Sequence, residues 1–223
     1  MSTYVLMRIL ESSPRRYDLG IRILTLGRID KVYDRLLTHV REHQQVLDLG
    51  CGTGALTLRA AQRGATVKGI DVSPQMLEIA AERVQRAGFE DRVTLEEMGV
   101  AELDRERTEN YDVVTSGLCF SELSDDELRY TLEQIARILK PNGLLLVADE
   151  TRPDSRIARA IRRLLRAPLV AVTYLLTQQT THAIADLPGS LSRAGLSVLS
   201  LSKGRQIAGL VECVAQKPPR APQ

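Results

Sequence analysis

From about residue 45 onward, short aliphatic runs alternate with stretches whose apolar residues recur at helical spacing. Val46-Leu47-Asp48-Leu49 reads as a buried strand, and Leu56 to Arg63 as a helix. Thr66 to Ile70 is a second strand, followed by a helix over Pro74 to Ala87 with apolar Met76, Leu77, Ile79, Ala80 and Val84. Arg92 to Leu95 and Tyr111 to Ser116 read as strands three and four, Asp125 to Leu139 as a helix, and Gly143 to Ala148 as strand five. Strands separated by helices at this spacing predict βαβ units and a mostly parallel sheet of the α/β class.

The flanks break that rhythm. Residues 1–43 hold helical patterns interrupted around Ser12-Ser13-Pro14, which predicts a helical cap ahead of a core at 44–151. An insertion of different composition follows at 152–182. Residues 183–217 then offer a helix around Asp186 to Ala194 and strands near Leu196 to Leu201 and Ile207 to Ala215. Joined across Lys203-Gly204-Arg205, that last pair reads as antiparallel. The expectation is one domain over 1–223.

Composition narrows the class. With 43% hydrophobic and 26% charged residues, 15 Gly and 9 Pro, the chain is neither disordered nor collagenous. Aromatic residues make up 4%, without Trp, so the core must be aliphatic and no nucleic-acid partner held on stacked aromatics is expected. A net charge of +2 demands no polyanion. Cys51, Cys119 and Cys213 form no CxxC pair and there are three His, so neither a disulfide framework nor a metal site is expected. The N-terminus lacks the layout of a signal peptide, and no apolar run reaches the ~20 residues of a membrane span. The expected compartment is the cytoplasm.

The most informative stretch is Val46 to Gly54, VLDLGCGTG, a strand entering a glycine-rich turn that opens a helix. This is the nucleotide-binding position of an open α/β sheet. Gly50, Gly52 and Gly54 allow close backbone approach and positive φ. The spacing is G-x-G-x-G, not the G-x-G-x-x-G of a dinucleotide site, and no Lys follows as in a P-loop. Asp48, placed before the glycines, would repel a pyrophosphate and attract an ammonium group. Asp71 ends the second strand, where an acid can accept both hydroxyls of a ribose. A ligand with a ribose, an ammonium group and no phosphates fits S-adenosylmethionine.

VLDLGCGTG, GIDVSPQML, YDVVTSGL and LKPNGLLLVADE together resemble the successive motifs of class I S-adenosylmethionine-dependent methyltransferases, across roughly residues 45–150. The resemblance implies a Rossmann-like seven-stranded sheet with an antiparallel last strand. It places Asp48, Gly50, Cys51, Gly52 and Gly54 around the methionine moiety, Asp71 on the ribose, and Val72, Met76 and Ala101 by the adenine. Ser116 and Gly117 would lie beside the sulfonium. Relatives often carry an acid where this chain has Val100, so the adenine amine is left to a backbone carbonyl or Glu102.

Methyl transfer from a sulfonium needs chiefly alignment, with a base only for a protonated acceptor. Relatives often show a His pair at Ser121-Glu122; Glu122 is the candidate acceptor-orienting group or base, against a reading as a solvated acid. Cys119 reads as a thiol near the site or as a small buried hydrophobe. Tyr17, Asp18 and Tyr33 are cap residues placed for acceptor recognition or simply for the surface.

Two segments suggest partners. Tyr4 to Glu11 and Pro14 to Ile21 resemble a bacterial subgroup of corrinoid-protein-associated methyltransferases, which implies a corrinoid protein as partner. Residues 152–166 carry six Arg (152, 156, 159, 162, 163, 166) against Asp154, and an apolar run follows Pro168. A packed helix, a lid over an apolar acceptor, and attachment of residues 152–176 to an anionic membrane face all fit this pattern. The reading is a methyltransferase for a small, apolar acceptor. The alternatives are an auxiliary methyltransferase-like protein docking on a corrinoid protein, and an NAD-linked oxidoreductase disfavoured by Asp48 and the glycine spacing.

Overall fold

Both faces of the aliphatic runs are buried, the pattern of a sheet covered by helices on two sides. The computed structural model describes residues 27–150, 184, 186–203 and 210–220. In chain order its strands are β1 (Gln45–Leu49), β2 (Thr66–Asp71), β3 (Val93–Glu97), β4 (Tyr111–Gly117), β5 (Leu139–Glu150), β6 (Ser197–Lys203) and β7 (Leu210–Gln216). Its helices are α1 (Arg28–Leu36), α2 (Ala55–Gln62), α3 (Pro74–Ala87), α4 (Asp125–Ile138) and α5 (Leu187–Arg193).

The strands form one seven-stranded sheet in the order β3-β2-β1-β4-β5-β7-β6. The first five are parallel, and β7 runs antiparallel to both β5 and β6. This is the mostly parallel α/β sheet expected from the alternation, in the Rossmann-like seven-stranded form that the family resemblance implies. Ile29, Tyr33 and Leu36 of α1, Leu56 and Ala60 of α2 and Val84 of α3 cover one face. Leu128, Leu132 and Ile135 of α4 and Leu187 and Leu191 of α5 cover the other.

Local chemistry fixes the helix starts beside the site. Ser73 caps α3 by accepting from the Met76 amide, with Pro74 as first residue. Ser124 and Glu127 form a reciprocal capping box on α4.

Several boundaries differ from the sequence reading. β3 runs on to Glu97, because Ile70 and Asp71 of β2 pair with Glu96 and Glu97 although hydrophobicity ends at Leu95. β5 starts at Leu139, opposite Tyr111, with a register shift before Val113 and a left-handed Asn142 (φ 64°). The bulge lets the strand absorb a Pro-Asn-Gly stretch that reads as a turn. β7 begins at Leu210, and most of the expected turn at 203–205 lies outside the described residues. So do Tyr17, Asp18, the corrinoid-type segment at 4–21 and the insertion at 152–182. No helix among the described residues is long and apolar enough to cross a membrane.

Candidate functional site

The strand order reverses between β1 and β4, and at such a switch point the loops beyond the carboxyl ends diverge and leave a crevice. The glycine turn after β1 occupies that point. Gly50 and Gly52 are left-handed (φ 62° and 52°), which a side chain resists. The Cys51 amide donates to the Ile70 carbonyl (2.9 Å), tying the turn to β2.

Two carboxylates flank the turn. Asp71, at the end of β2, accepts from the Gly52 amide (2.8 Å) and the Ser73 amide (2.9 Å), so it clamps the glycine turn to the start of α3. Burial raises its pKa, opposed by these amides. Asp48 is 1% exposed. Its neighbour in register on β4 is Thr115, and the period of two puts both on the α2 side of the sheet. Thr115 and Thr57 each donate a hydroxyl hydrogen bond to it, at 2.7 and 2.6 Å. Burial pushes Asp48 from 3.8 up to about 6, and the two hydroxyls pull it back only in part.

Two cavities meet at the turn, both lined by Gly50, Gly52, Gly117 and Leu118. The first, about 460 Å³, extends under α1 past Asp48, Cys51, Tyr33 and Arg59. The second, about 510 Å³, extends over β2 past Asp71, Val72, Met76, Val100 and Glu122. Val72 presents an exposed apolar surface there, whereas Met76 is buried.

The segment after β4 closes the junction. Leu118 is left-handed at φ 62° and its amide donates to the Ala148 carbonyl (2.8 Å). For a bulky residue that conformation is strained and persists where the surroundings fix it. Asp149, fully buried at the end of β5, accepts from the Ser121 amide (3.2 Å) and anchors the turn that carries Glu122. Burial raises the Cys51 and Cys119 thiols well above their ordinary range, assisted by the surrounding carboxylates. Both stay protonated and behave as small apolar groups.

Of the residues expected around the cofactor, Asp48, Gly50, Cys51, Gly52, Asp71, Val72, Met76 and Gly117 line the cavities, as does Glu122. Gly54, Ser116 and Ala101 are not part of those walls. Gly54 caps α2, where a Cβ would lie 3.3 Å from that of Ala80. Ser116 is buried, and its hydroxyl has no hydrogen-bond partner among the described residues. Ala101 is exposed, with its carbonyl accepting from the Tyr130 hydroxyl (3.2 Å). Glu102 accepts from the Gly99 amide and Arg105, at 3.1 and 2.8 Å. The local sequence pattern does not point to Thr57, Thr115 or Arg59 as site residues. Asp149 carries one signal, an acid closing a buried aliphatic strand.

The sequence model of the family described as methyltransferase domain matches residues 46–143. A demethylmenaquinone methyltransferase of Symbiobacterium thermophilum is 34% identical over 149 residues, covering 64% of this chain and 58% of that protein. The chain spans little more than half the length of the demethylmenaquinone methyltransferases it matches. An uncharacterized methyltransferase of Synechocystis sp. is 31% identical, covering 70% of this chain and 68% of the relative. In fold, the chain resembles a SAM-dependent methyltransferase from Methanosarcina mazei, with a TM-score of 0.66 at 18% identity over 82% of this chain and 96% of that one.

Proposed function

The chain belongs to the methyltransferase domain family, and from that premise we propose that it transfers a methyl group from S-adenosylmethionine to a small, apolar acceptor. The observation that carries this reading is the wall of the second cavity. It presents Asp71 and Glu122 and, among the described residues, no Lys or Arg. A pyrophosphate would meet two carboxylates and no cation there. A ribose diol and a positive sulfur find partners in the same wall.

The residues present fit this cofactor. Gly52 lines both cavities and a Cβ on it would meet nothing within 4 Å, so the turn leaves its backbone open to a ligand. Asp71 retains lone pairs for two ribose hydroxyls after accepting its two amides. Val72, Met76 and Val100 offer the adenine an apolar slot. Asp48 acts as a fixed negative charge behind the turn. When bound, the cofactor supplies a methyl on a positively charged sulfur, so this chain's task is alignment. Leu118, Leu123 and Glu122 stand at the acceptor end, an apolar wall with one acid. The relatives that act on demethylmenaquinone support an acceptor of quinone type.

Asp71→Ala is expected to weaken S-adenosylmethionine binding by about 1.5–3 kcal/mol, the range for hydrogen bonds to a charged group. Calorimetry on the wild-type protein decides the reading itself: binding of NAD with indifference to S-adenosylmethionine overturns it. Glu122→Gln is expected to lower kcat on a naphthoquinol acceptor while leaving cofactor affinity in place. Unchanged turnover would return Glu122 to the surface.

A further inference from the structure

Helix α1 carries one side chain of the cap to the junction of the two cavities. Tyr33 is 7% exposed, and its hydroxyl stands against the last residue of β4. A Cβ built on Gly117 would lie 2.6 Å from Tyr33 Oη and 3.1 Å from Cζ, so the approach exists only because residue 117 is glycine. Gly117 lines both cavities, and Tyr33 lines the first.

The ring is held from outside. The Arg59 guanidinium lies 5.7 Å from the ring centroid. Arg59 in turn donates to Asp30 (2.7 Å), Asp34 (2.9 Å) and the Ala55 carbonyl (2.9 Å). A cation over an aromatic face, fixed by two carboxylates, leaves the phenol little freedom to move. The two acids come from α1 and the arginine from α2, so both helices hold the ring at the end of β4.

Resting on the proposed function, we propose that Tyr33 is a catalytic residue whose phenol oxygen faces the sulfonium and methyl of bound S-adenosylmethionine at Gly117 and aligns them for transfer. A phenol oxygen carries two lone pairs that can face the polarised methyl hydrogens. Each such contact is weak, so it adds little to binding. Its effect falls on direction, and a small misalignment in a displacement step costs far more in rate than in affinity.

The test uses the full chain with 3-fluorotyrosine incorporated at position 33 alone. The fluorine resonance is expected to move on adding S-adenosylmethionine and to take a distinctly different position with S-adenosylhomocysteine, which lacks the positive sulfur. Tyr33→Phe is expected to bind S-adenosylmethionine within about twofold of wild type and to lose about tenfold or more in kcat. Calorimetric binding without a fluorine shift, identical shifts with both ligands, or full turnover in Tyr33→Phe overturns the assignment and leaves the proposed function standing. Absence of any S-adenosylmethionine binding overturns both. Should the Phe variant melt early, the fluorine comparison in the tyrosine-containing protein still decides.

Discussion

Asp48→Asn is expected to stabilise the ligand-free protein at pH 7 and, at the same time, to weaken its hold on S-adenosylmethionine about a hundredfold. The carboxyl titrates near 6 in the fold, against an ordinary value of 3.8, with burial as the leading cause. An acid with a raised folded pKa favours the folded state when protonated. Its contribution is therefore fully present below pH 3.8 and is lost as the pH rises through 6. At pH 7 the ionised carboxylate costs the fold about 3 kcal/mol, taking 1.36 kcal/mol per unit. Asn removes that charge at nearly constant volume, and the Thr57 and Thr115 hydroxyls can each turn to donate or accept. The variant should melt roughly 5–10 °C above wild type at pH 7, and the two curves should converge toward pH 4. Affinity moves the other way. A buried charge a few ångströms from a cationic ligand is worth about 3 kcal/mol at an effective dielectric of about 20. Wild-type affinity should likewise decline as the pH falls through 6. Calorimetric melts at pH 4, 5.5 and 7, paired with titrations of the cofactor, check both halves. A variant less stable than wild type at pH 7, or one with undiminished affinity, removes Asp48 from this role.

That pair of effects shows where sequence reasoning stops. An acid before G-x-G-x-G is visible in VLDLGCGTG, and so is the acid ending the next strand, because both sit at fixed offsets from a local pattern. The ionisation of Asp48 is not visible, because burial in the assembled sheet raises its pKa, and the hydroxyls that oppose this come from Thr57, 9 residues away, and Thr115, 67 residues away. Thr115 reaches it only through the β1–β4 register, and a register between non-consecutive strands is a property of the assembled sheet. Ser116 illustrates the converse. The alternation that aims Thr115 at Asp48 turns Ser116 to the opposite face, away from both cavities, although the two are adjacent in a motif. The sequence places Tyr33 in the cap, whereas its meeting with Gly117 depends on the packing of α1 on α2. Local chemistry reads out of local sequence, whereas contacts across the sheet or between helices do not.

The same distinction predicts different outcomes for two glycines in one turn. Gly50→Ala is expected to destabilise the protein by about 3 kcal/mol, part from the backbone and part from packing. At φ 62° an alanine costs roughly 1–2 kcal/mol. Its Cβ would lie 2.8 Å from Cys119 Sγ and 2.9 Å from Cys119 Cβ, closer than such atoms can stand. Cys119 cannot simply retreat, since it is flanked by Leu118, tied by its amide to Ala148, and by Phe120, which is fully buried. Overpacking of this kind costs about 1–3 kcal/mol. Cys119→Gly removes both opposing atoms, so in a double-mutant cycle it should return the packing share and leave the backbone share, a coupling of about 1–2 kcal/mol. Gly52 has a similar left-handed backbone, at φ 52°, with nothing near its missing Cβ. Gly52→Ala should therefore cost only the backbone share in stability, while an added methyl on a residue that lines both cavities should weaken cofactor binding. Urea unfolding of the three single variants and the Gly50→Ala/Cys119→Gly pair, with cofactor titrations alongside, separates the cases. Strict additivity at Gly50 and Cys119 would show that the clash is absorbed elsewhere. Undiminished cofactor affinity in Gly52→Ala would show that the ligand does not lie against the turn.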